Sequence, residues 1–340
     1  MKYIDGGICA AKGFKASGTY CGIKKPNVEN FDPKIKHKND ICLFTSDVLC
    51  NAAAVYTQNK VKGAPILVTK ANLEKSGNKA IAVIANSKNA NTCNADGVEK
   101  ADKMCELVAN ELNIPKEQVI VASTGVIGQV LPIEPIEKAV PVLVKELDYG
   151  KNEEASTAIM TTDTIKKEYA VEFEIGGVKC TLGGMVQKAL SEIVKVTYNC
   201  LSVDGDTSTN DMVSLMANGL AGNEEITCEG EEFDTFKNAL YEVMANLTRM
   251  LAKDGEGASK LLECFCDGAP DKDTAITVAK SVVCSSLFKA AMFGEDANWG
   301  RVLCAIGYAD AEFDINKVDV DLRSKYGTVE VCKNGSGIEF

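Results

Sequence analysis

The apolar residues of this chain change their period near Val171, and that change limits the folds open to it. Val171, Phe173 and Ile175 alternate, Gly176-Gly177 supplies a turn, and Val178, Cys180 and Leu182 alternate again, which predicts a hairpin. Upstream, Ala64 to Thr69 and Ala80 to Ala85 read as short buried strands, and Val98, Ala101, Met104, Cys105, Val108 and Leu112 recur at helical spacing. Val119-Ile120-Val121 then forms a strand running into the turn Ser123-Thr124-Gly125. Downstream, Phe233, Phe236, Leu240, Val243, Met244, Leu247 and Leu251 predict a long amphipathic helix stopped at Asp254-Gly255. Another helix is expected over roughly Thr274 to Ala290, and a hairpin over Val318 to Cys332 turning near Tyr326-Gly327. The expected class is α/β, a mixed α+β layered sandwich in two lobes that meet near residue 185.

With 37 basic against 48 acidic residues the net charge is −11, which argues against nucleic acid and against an anionic membrane surface as partner. No apolar stretch has the length of a signal peptide or a bilayer span, so a cytoplasmic protein is expected. The 14 cysteines, among them Cys42, Cys50, Cys105 and Cys284, stand singly among apolar neighbours and read as reduced, packed thiols. Cys264 and Cys266 suit one face of a strand. The single histidine, His37, lies in a lysine-rich run, so no metal site is expected.

The lone histidine also makes a Ser-His-Asp or Cys-His arrangement hard to assemble. A nucleophile that needs no histidine is an N-terminal threonine, whose own α-amino group takes the hydroxyl proton. The Ser123-Thr124-Gly125 turn places a hydroxyl beside a backbone N–H at a strand end, a pair that suits an oxyanion hole and that also suits a plain turn. Asp204 to Asp211 begins like a calcium loop, but position twelve is Leu215 where a Glu is needed. That loop is expected instead to cap a helix beginning near Asp211 and to line a cleft. Glu256, between two glycines, can pair with an ammonium group or stand as a solvated acid after a helix. Gly294 to Arg301, which carries Trp299, reads as an ordered loop.

Ser123-Thr124-Gly125-Val126-Ile127-Gly128, Met160-Thr161-Thr162-Asp163-Thr164 and Phe293-Gly294-Glu295-Asp296 resemble the glutamate N-acetyltransferase (ornithine acetyltransferase) family. Asp5-Gly6-Gly7, Asn86-Ser87 and Asn89-Ala90-Asn91 extend the resemblance, which runs from Met1 to Phe340. It implies an enzyme of arginine biosynthesis that moves an acetyl group from N-acetylornithine to glutamate through an acetyl-threonine, after autocatalytic cleavage. Some family members also accept acetyl-CoA, as a co-substrate and not a resident cofactor. By the same resemblance Thr124 and Gly125 match the oxyanion-hole pair, and Thr164 and Glu256 match substrate-binding positions. Residues 1–185 resemble the family's α chain and 186–340 its β chain, truncated at both ends. Intact relatives assemble as two α and two β chains.

Three departures accompany the match. Lys88 stands where the family usually has glycine. After Gly183-Gly184-Met185 the family continues into a segment bearing a substrate-binding lysine and the nucleophilic threonine, whereas Val186-Gln187-Lys188-Ala189-Leu190 follows here. Past Asn334 to Gly337 the family runs on into further substrate-contacting residues, and this sequence stops at Phe340. Thr157 echoes the missing nucleophile in what reads as an internal strand. The alternative function is therefore a catalytically inactive remnant, or a binding or scaffold subunit. Loss of a core segment is also expected to expose strand edges and lower stability.

Overall fold

The structure is a computed structural model that describes residues 1–24, 38–182 and 187–338. His37 and the stretch Gly183 to Val186 lie outside the described residues. The chain forms two compact units, one of residues 1–197 and 207–250, the other of 198–206 and 251–340.

The larger unit is built on a five-stranded sheet. Its strands are β2 (Phe14–Thr19), β3 (Ile41–Tyr56), β4 (Lys79–Asn86), β5 (Val119–Ser123) and β8 (Met212–Ala217). They run in the order β2-β3-β4-β5, with β8 on β3. The 16-residue β3 serves three partners, because its register shifts between Thr45 and Cys50 and its second half, Asn51 to Tyr56, pairs antiparallel with β8. The β4–β5 pair is parallel, and the crossover between them carries α2 (Gly97–Leu112).

Helices cover both faces. On one, α1 (Ala64–Lys75), α2 and α3 (Glu134–Lys145) bury Val68, Met104, Val108, Ile136 and Leu143 against Leu43, Ile84, Val119 and Val121. On the other, α4 (Asn152–Ile159) lays Ala155 and Ala158 on Ala16, Cys42 and Ala85. The small side chains set that approach, since a Cβ on Gly18 would fall 2.2 Å from the Glu154 carbonyl oxygen. A separate antiparallel sheet, β1 (Lys2–Ile4), β6 (Ala170–Ile175) and β7 (Val178–Leu182), contains the expected hairpin, with Gly176 and Gly177 at φ 56° and 76°. It is followed by α5 (Gln187–Val196), and α6 (Glu231–Lys253) is the predicted long helix.

In the smaller unit α7 (Lys272–Cys284), α8 (Ser286–Phe293) and α9 (Trp299–Gly307) pack on the sheet β9 (Val320–Ser324), β10 (Gly327–Lys333) and β11 (Ser336–Gly337). Val282, Phe288, Val302, Ile306, Val320 and Val331 form its core.

The mixed α/β class is as expected, but several local expectations are corrected. Ala64 to Thr69 opens α1, and Pro65 sits in its first turn. Its apolar residues lack a helical stripe because Leu67 is exposed while the polar Thr69 and Asn72 are buried, so the run imitates a buried strand. The helix expected over Thr274 to Ala290 is two helices bent by 55°, broken at Ser285, whose hydroxyl accepts from the Phe288 N–H and caps α8. No helix begins at Asp211; Met212 enters β8, whose partner β3 lies far away in sequence. Thr157 lies in helix α4, its hydroxyl donating to the Glu153 carbonyl at 2.7 Å. Cys264 and Cys266 lie in a segment without strand structure, and Cys284 is exposed. Among the described residues no single helix is long and apolar enough to cross a membrane.

Candidate active site

β4 and β5 end side by side at Asn86 and Ser123, and the chain beyond both ends builds the Thr124-Gly125 turn. The Thr124 N–H donates to the Asn86 carbonyl at 3.0 Å and the Val126 N–H to the Lys88 carbonyl at 3.0 Å. The Val126 carbonyl in turn accepts from the Ala90 N–H at 3.0 Å. Gly125 therefore stands between two residues whose N–H groups face the 86–90 loop. Among the described residues its own N–H makes no hydrogen bond, and neither does the Thr124 hydroxyl. Two unengaged donors thus meet on adjacent residues, Thr124 half-buried and Gly125 exposed. Such a pair is what an oxyanion requires.

Buried amides and hydroxyls hold the turn from behind. Ser123 Oγ donates to Asn86 Oδ1 at 2.6 Å, Asn86 Nδ2 to the Asn89 carbonyl at 2.9 Å, and Asn89 Nδ2 to the Gln129 carbonyl at 3.0 Å. Asn86, Ser87, Asn89, Asn91, Thr92 and Ser123 are all buried. Lys88, Asn91 and Cys93 adopt φ of 75°, 49° and 62°, a left-handed conformation uncommon for residues other than glycine. The loop is thus strained as well as satisfied, a combination that concentrates at functional sites.

Ser87 reaches the end of α4, just ahead of the Met160–Thr164 segment. Its hydroxyl donates to the Ala158 carbonyl at the end of α4, and its N–H donates to the Asp40 carbonyl at 2.9 Å. Lys24 Nζ donates to the Met160 carbonyl at 2.7 Å and the Asn39 carbonyl at 2.8 Å, and burial lowers its pKa from the ordinary lysine value. The buried Asp40 carboxylate accepts from the N–H groups of Cys21, Gly22 and Lys24 at 2.7, 3.1 and 2.8 Å, fixing the strand-to-loop stretch that delivers Lys24. Within the segment, burial works to raise the Asp163 carboxyl, but Lys167 and the Thr161 N–H outweigh it and hold it below its ordinary value. Thr164 is exposed at the end of this braced loop.

The smaller unit holds Glu256, exposed in the turn after α6. Thr124 and Gly125 are thus adjacent and Thr164 is tied to the same unit, whereas Glu256 belongs to the other. A polar depression of about 230 Å³ opens between Asp5, Gly6, Asn152, Lys166 and Glu168, and none of the four candidate residues lines it. Among the described residues no cluster of His, Cys, Asp or Glu could hold a metal ion.

The model of the ArgJ family matches this sequence in two pieces, residues 16–187 and 184–340. The chain belongs to the ArgJ family. Two relatives, both called arginine biosynthesis bifunctional protein ArgJ, show how far the membership extends. The protein of Caldanaerobacter subterraneus subsp. tengcongensis is 42% identical, with 100% of this chain and 88% of that one covered. ArgJ 1 of Clostridium acetobutylicum is 44% identical over 96% of this chain and 84% of its own length. A crystal structure of ornithine acetyltransferase complexed with ornithine, from Mycobacterium tuberculosis, is 31% identical, covers 55% of this chain and 94% of its own, and has a TM-score of 0.47.

The ArgJ match also locates the internal departure. The alignment with the Caldanaerobacter ArgJ spans 369 positions and takes in all 340 residues of this chain, so at least 29 positions of the relative, 369 less 340, have no counterpart here. The two pieces of the family match meet at 184–187, directly after β7.

Asn210 escaped the sequence reading. Its carboxamide donates to the Ala90 carbonyl at 2.7 Å and the Ser123 carbonyl at 3.0 Å, so it reaches the turn from the 203–211 loop. The expectation that this loop lines a cleft was the one signal pointing there.

Proposed function

We propose that this chain serves acetyl transfer from N-acetylornithine to glutamate, with acetyl-CoA as a second acetyl donor. The observation that carries the reading is the pair of donors at one turn, the Thr124 hydroxyl and the Gly125 N–H, unengaged among the described residues and braced by ladder bonds on either side. When a nucleophile adds to an acetyl carbonyl, the π pair moves onto oxygen, and two fixed donors meet the charge as it develops. Collapse of the intermediate re-forms the carbonyl and expels the amine, which takes up the proton the nucleophile gave up. The same donors serve both halves of the exchange, departure of ornithine and attack by glutamate.

Thr164, on the loop held through Lys24, and Glu256 are the substrate-binding positions that the resemblance implies. The covalent half of the route uses the threonine that the resemblance assigns to the segment missing between Met185 and Val186. Self-cleavage into α and β chains, and their pairing as a heterotetramer, belong to the same reading. A binding or scaffold subunit gains no support from whole-length similarity to proteins called bifunctional in arginine biosynthesis.

The test is to graft the Caldanaerobacter segment between Leu182 and Gln187 and to follow N-acetylglutamate formed from N-acetylornithine and glutamate. Transfer is expected, slowed roughly 10²–10³-fold by Thr124→Val. No transfer by the grafted chain, or an unchanged rate in the variant, would overturn the reading.

A further inference from the structure

The Asn210 carboxamide makes four hydrogen bonds, its ordinary capacity of two donated and two accepted. Nδ2 donates to the carbonyls of Ala90 at 2.7 Å and Ser123 at 3.0 Å. Oδ1 accepts from the hydroxyls of Thr92 and Thr209, both at 2.6 Å. The first three partners belong to the two stretches that form the oxyanion turn, the 86–92 loop and the end of β5. The Ser123 carbonyl is half of the peptide whose N–H belongs to Thr124, so the bond from Asn210 fixes that peptide plane just ahead of the two free donors.

The loop that delivers Asn210 is itself anchored. Thr57 Oγ1 donates to the Ser208 carbonyl and Asn59 Nδ2 to the Thr207 carbonyl, both at 2.6 Å, and the Asn210 N–H donates to Ser208 Oγ at 3.1 Å. The Gly63 N–H donates to the Thr209 carbonyl at 3.0 Å, and a Cβ on Gly63 would fall 2.6 Å from Asn210 Nδ2. The start of α1 is therefore closed against this side chain, which leaves the carboxamide a single placement.

We propose that Asn210 is a positioning residue for acetyl transfer: it sets the orientation of the Ser123–Thr124 peptide, and through it the aim of the Thr124 hydroxyl and Gly125 N–H at the acetyl oxygen. The assignment rests on the acetyl-transfer reading for its chemistry but on this network for its geometry. Asn210→Asp keeps the shape and both accepted bonds while removing the two donated ones. Thr92→Val removes one accepted bond, and Thr92→Ser retains it.

The experiment uses the isotope-labelled full chain and two nuclear magnetic resonance readouts. The first is the response of the Gly125 amide to N-acetylglutamate. The second, without ligand, is hydrogen exchange at the Val126 and Ala90 amides compared with the Ile84 amide inside the sheet. In Asn210→Asp, at least tenfold weaker binding sensed at Gly125 and at least tenfold faster exchange at Val126 and Ala90 are expected, with Ile84 within twofold. Thr92→Val should fall between, and Thr92→Ser should match the parent, which a loss of packing alone would not produce. Parent-like exchange at Val126 and Ala90 in Asn210→Asp overturns the assignment whatever the ligand does. A parent chain whose Gly125 ignores N-acetylglutamate counts against the acetyl-transfer reading instead, and the exchange result still decides the role of Asn210. If Asn210→Asp does not fold, the contrast between Thr92→Val and Thr92→Ser decides it, and equal behaviour of those two overturns it.

Discussion

Gly125 lies against Lys88 so closely that a Cβ on the glycine would fall 2.2 Å from the lysine's carbonyl carbon and 2.4 Å from its oxygen. With φ at 133°, Gly125 also occupies backbone space that other residues rarely adopt. Close approach and conformation together fix glycine at this position.

Gly125→Ala should therefore remove at least about 2 kcal/mol of stability, through backbone strain and overlap with the 86–90 loop. Urea unfolding compared with the parent chain measures it. An alanine variant of parental stability would show that the turn is looser than the packing here.

Lys88 carries the complementary cost, since φ of 75° strains a residue with a side chain. Lys88→Gly relieves that strain but adds freedom to the unfolded chain, leaving a net gain of roughly 0.5–1 kcal/mol. A higher urea midpoint at unchanged slope is expected; a lower midpoint would mean that the lysine side chain contributes more than its backbone costs.

Burial pushes the Cys42 and Cys105 thiols up from 9.0 to about 12. Because the folded values are raised, the stability these groups contribute is fully present below pH 9 and is lost as pH climbs from about 9 towards 12, where unfolded thiols ionise and folded ones do not. Each thiol costs about 1 kcal/mol by pH ~10. Unfolding curves at pH ~7 and ~10 should separate accordingly, and Cys105→Ala should narrow the gap while lowering stability at both.

An N-terminal threonine becomes its own base after the peptide bond before it is cut. Protein from its native source, weighed under denaturing and reducing conditions, should therefore give two fragments whose masses sum above 36.3 kDa, the excess being the positions missing after β7. A single species at 36.3 kDa would remove the covalent half of the proposed route.

Much of this was legible because local chemistry decided it. Val119-Ile120-Val121 before a Ser-Thr-Gly turn gave β5 and the donor pair, and Gly176-Gly177 between alternating apolar residues gave the β6–β7 hairpin. Lys88 was visible as an unusual residue in a turn, and its φ of 75° is the physical form of that departure. What stayed hidden depends on distant partners. The Asx- and hydroxyl-rich loop before Met212 makes local bonds that resemble a cap, Asp206 N–H to Asp204 and Asn210 N–H to Ser208, yet it leads into a strand because β3 offers a free flank far upstream. Asn210 was missed for the same reason, as its bonds to Ala90, Thr92 and Ser123 span 87 residues or more. The helix α1 was misread because an exposed Leu67 and the buried polar Thr69 and Asn72 erased its periodicity.

The central claim is that an acetyl oxygen sits between the Thr124 hydroxyl and the Gly125 N–H. The most direct measurement is the carbonyl carbon-13 shift of N-acetylglutamate labelled at its acetyl group, free and bound to the full chain. Two donated hydrogen bonds polarise the carbonyl, so a downfield shift on binding is predicted, reduced in Thr124→Val at saturating ligand. A bound resonance at the free position, or the same downfield shift in Thr124→Val, would contradict the account.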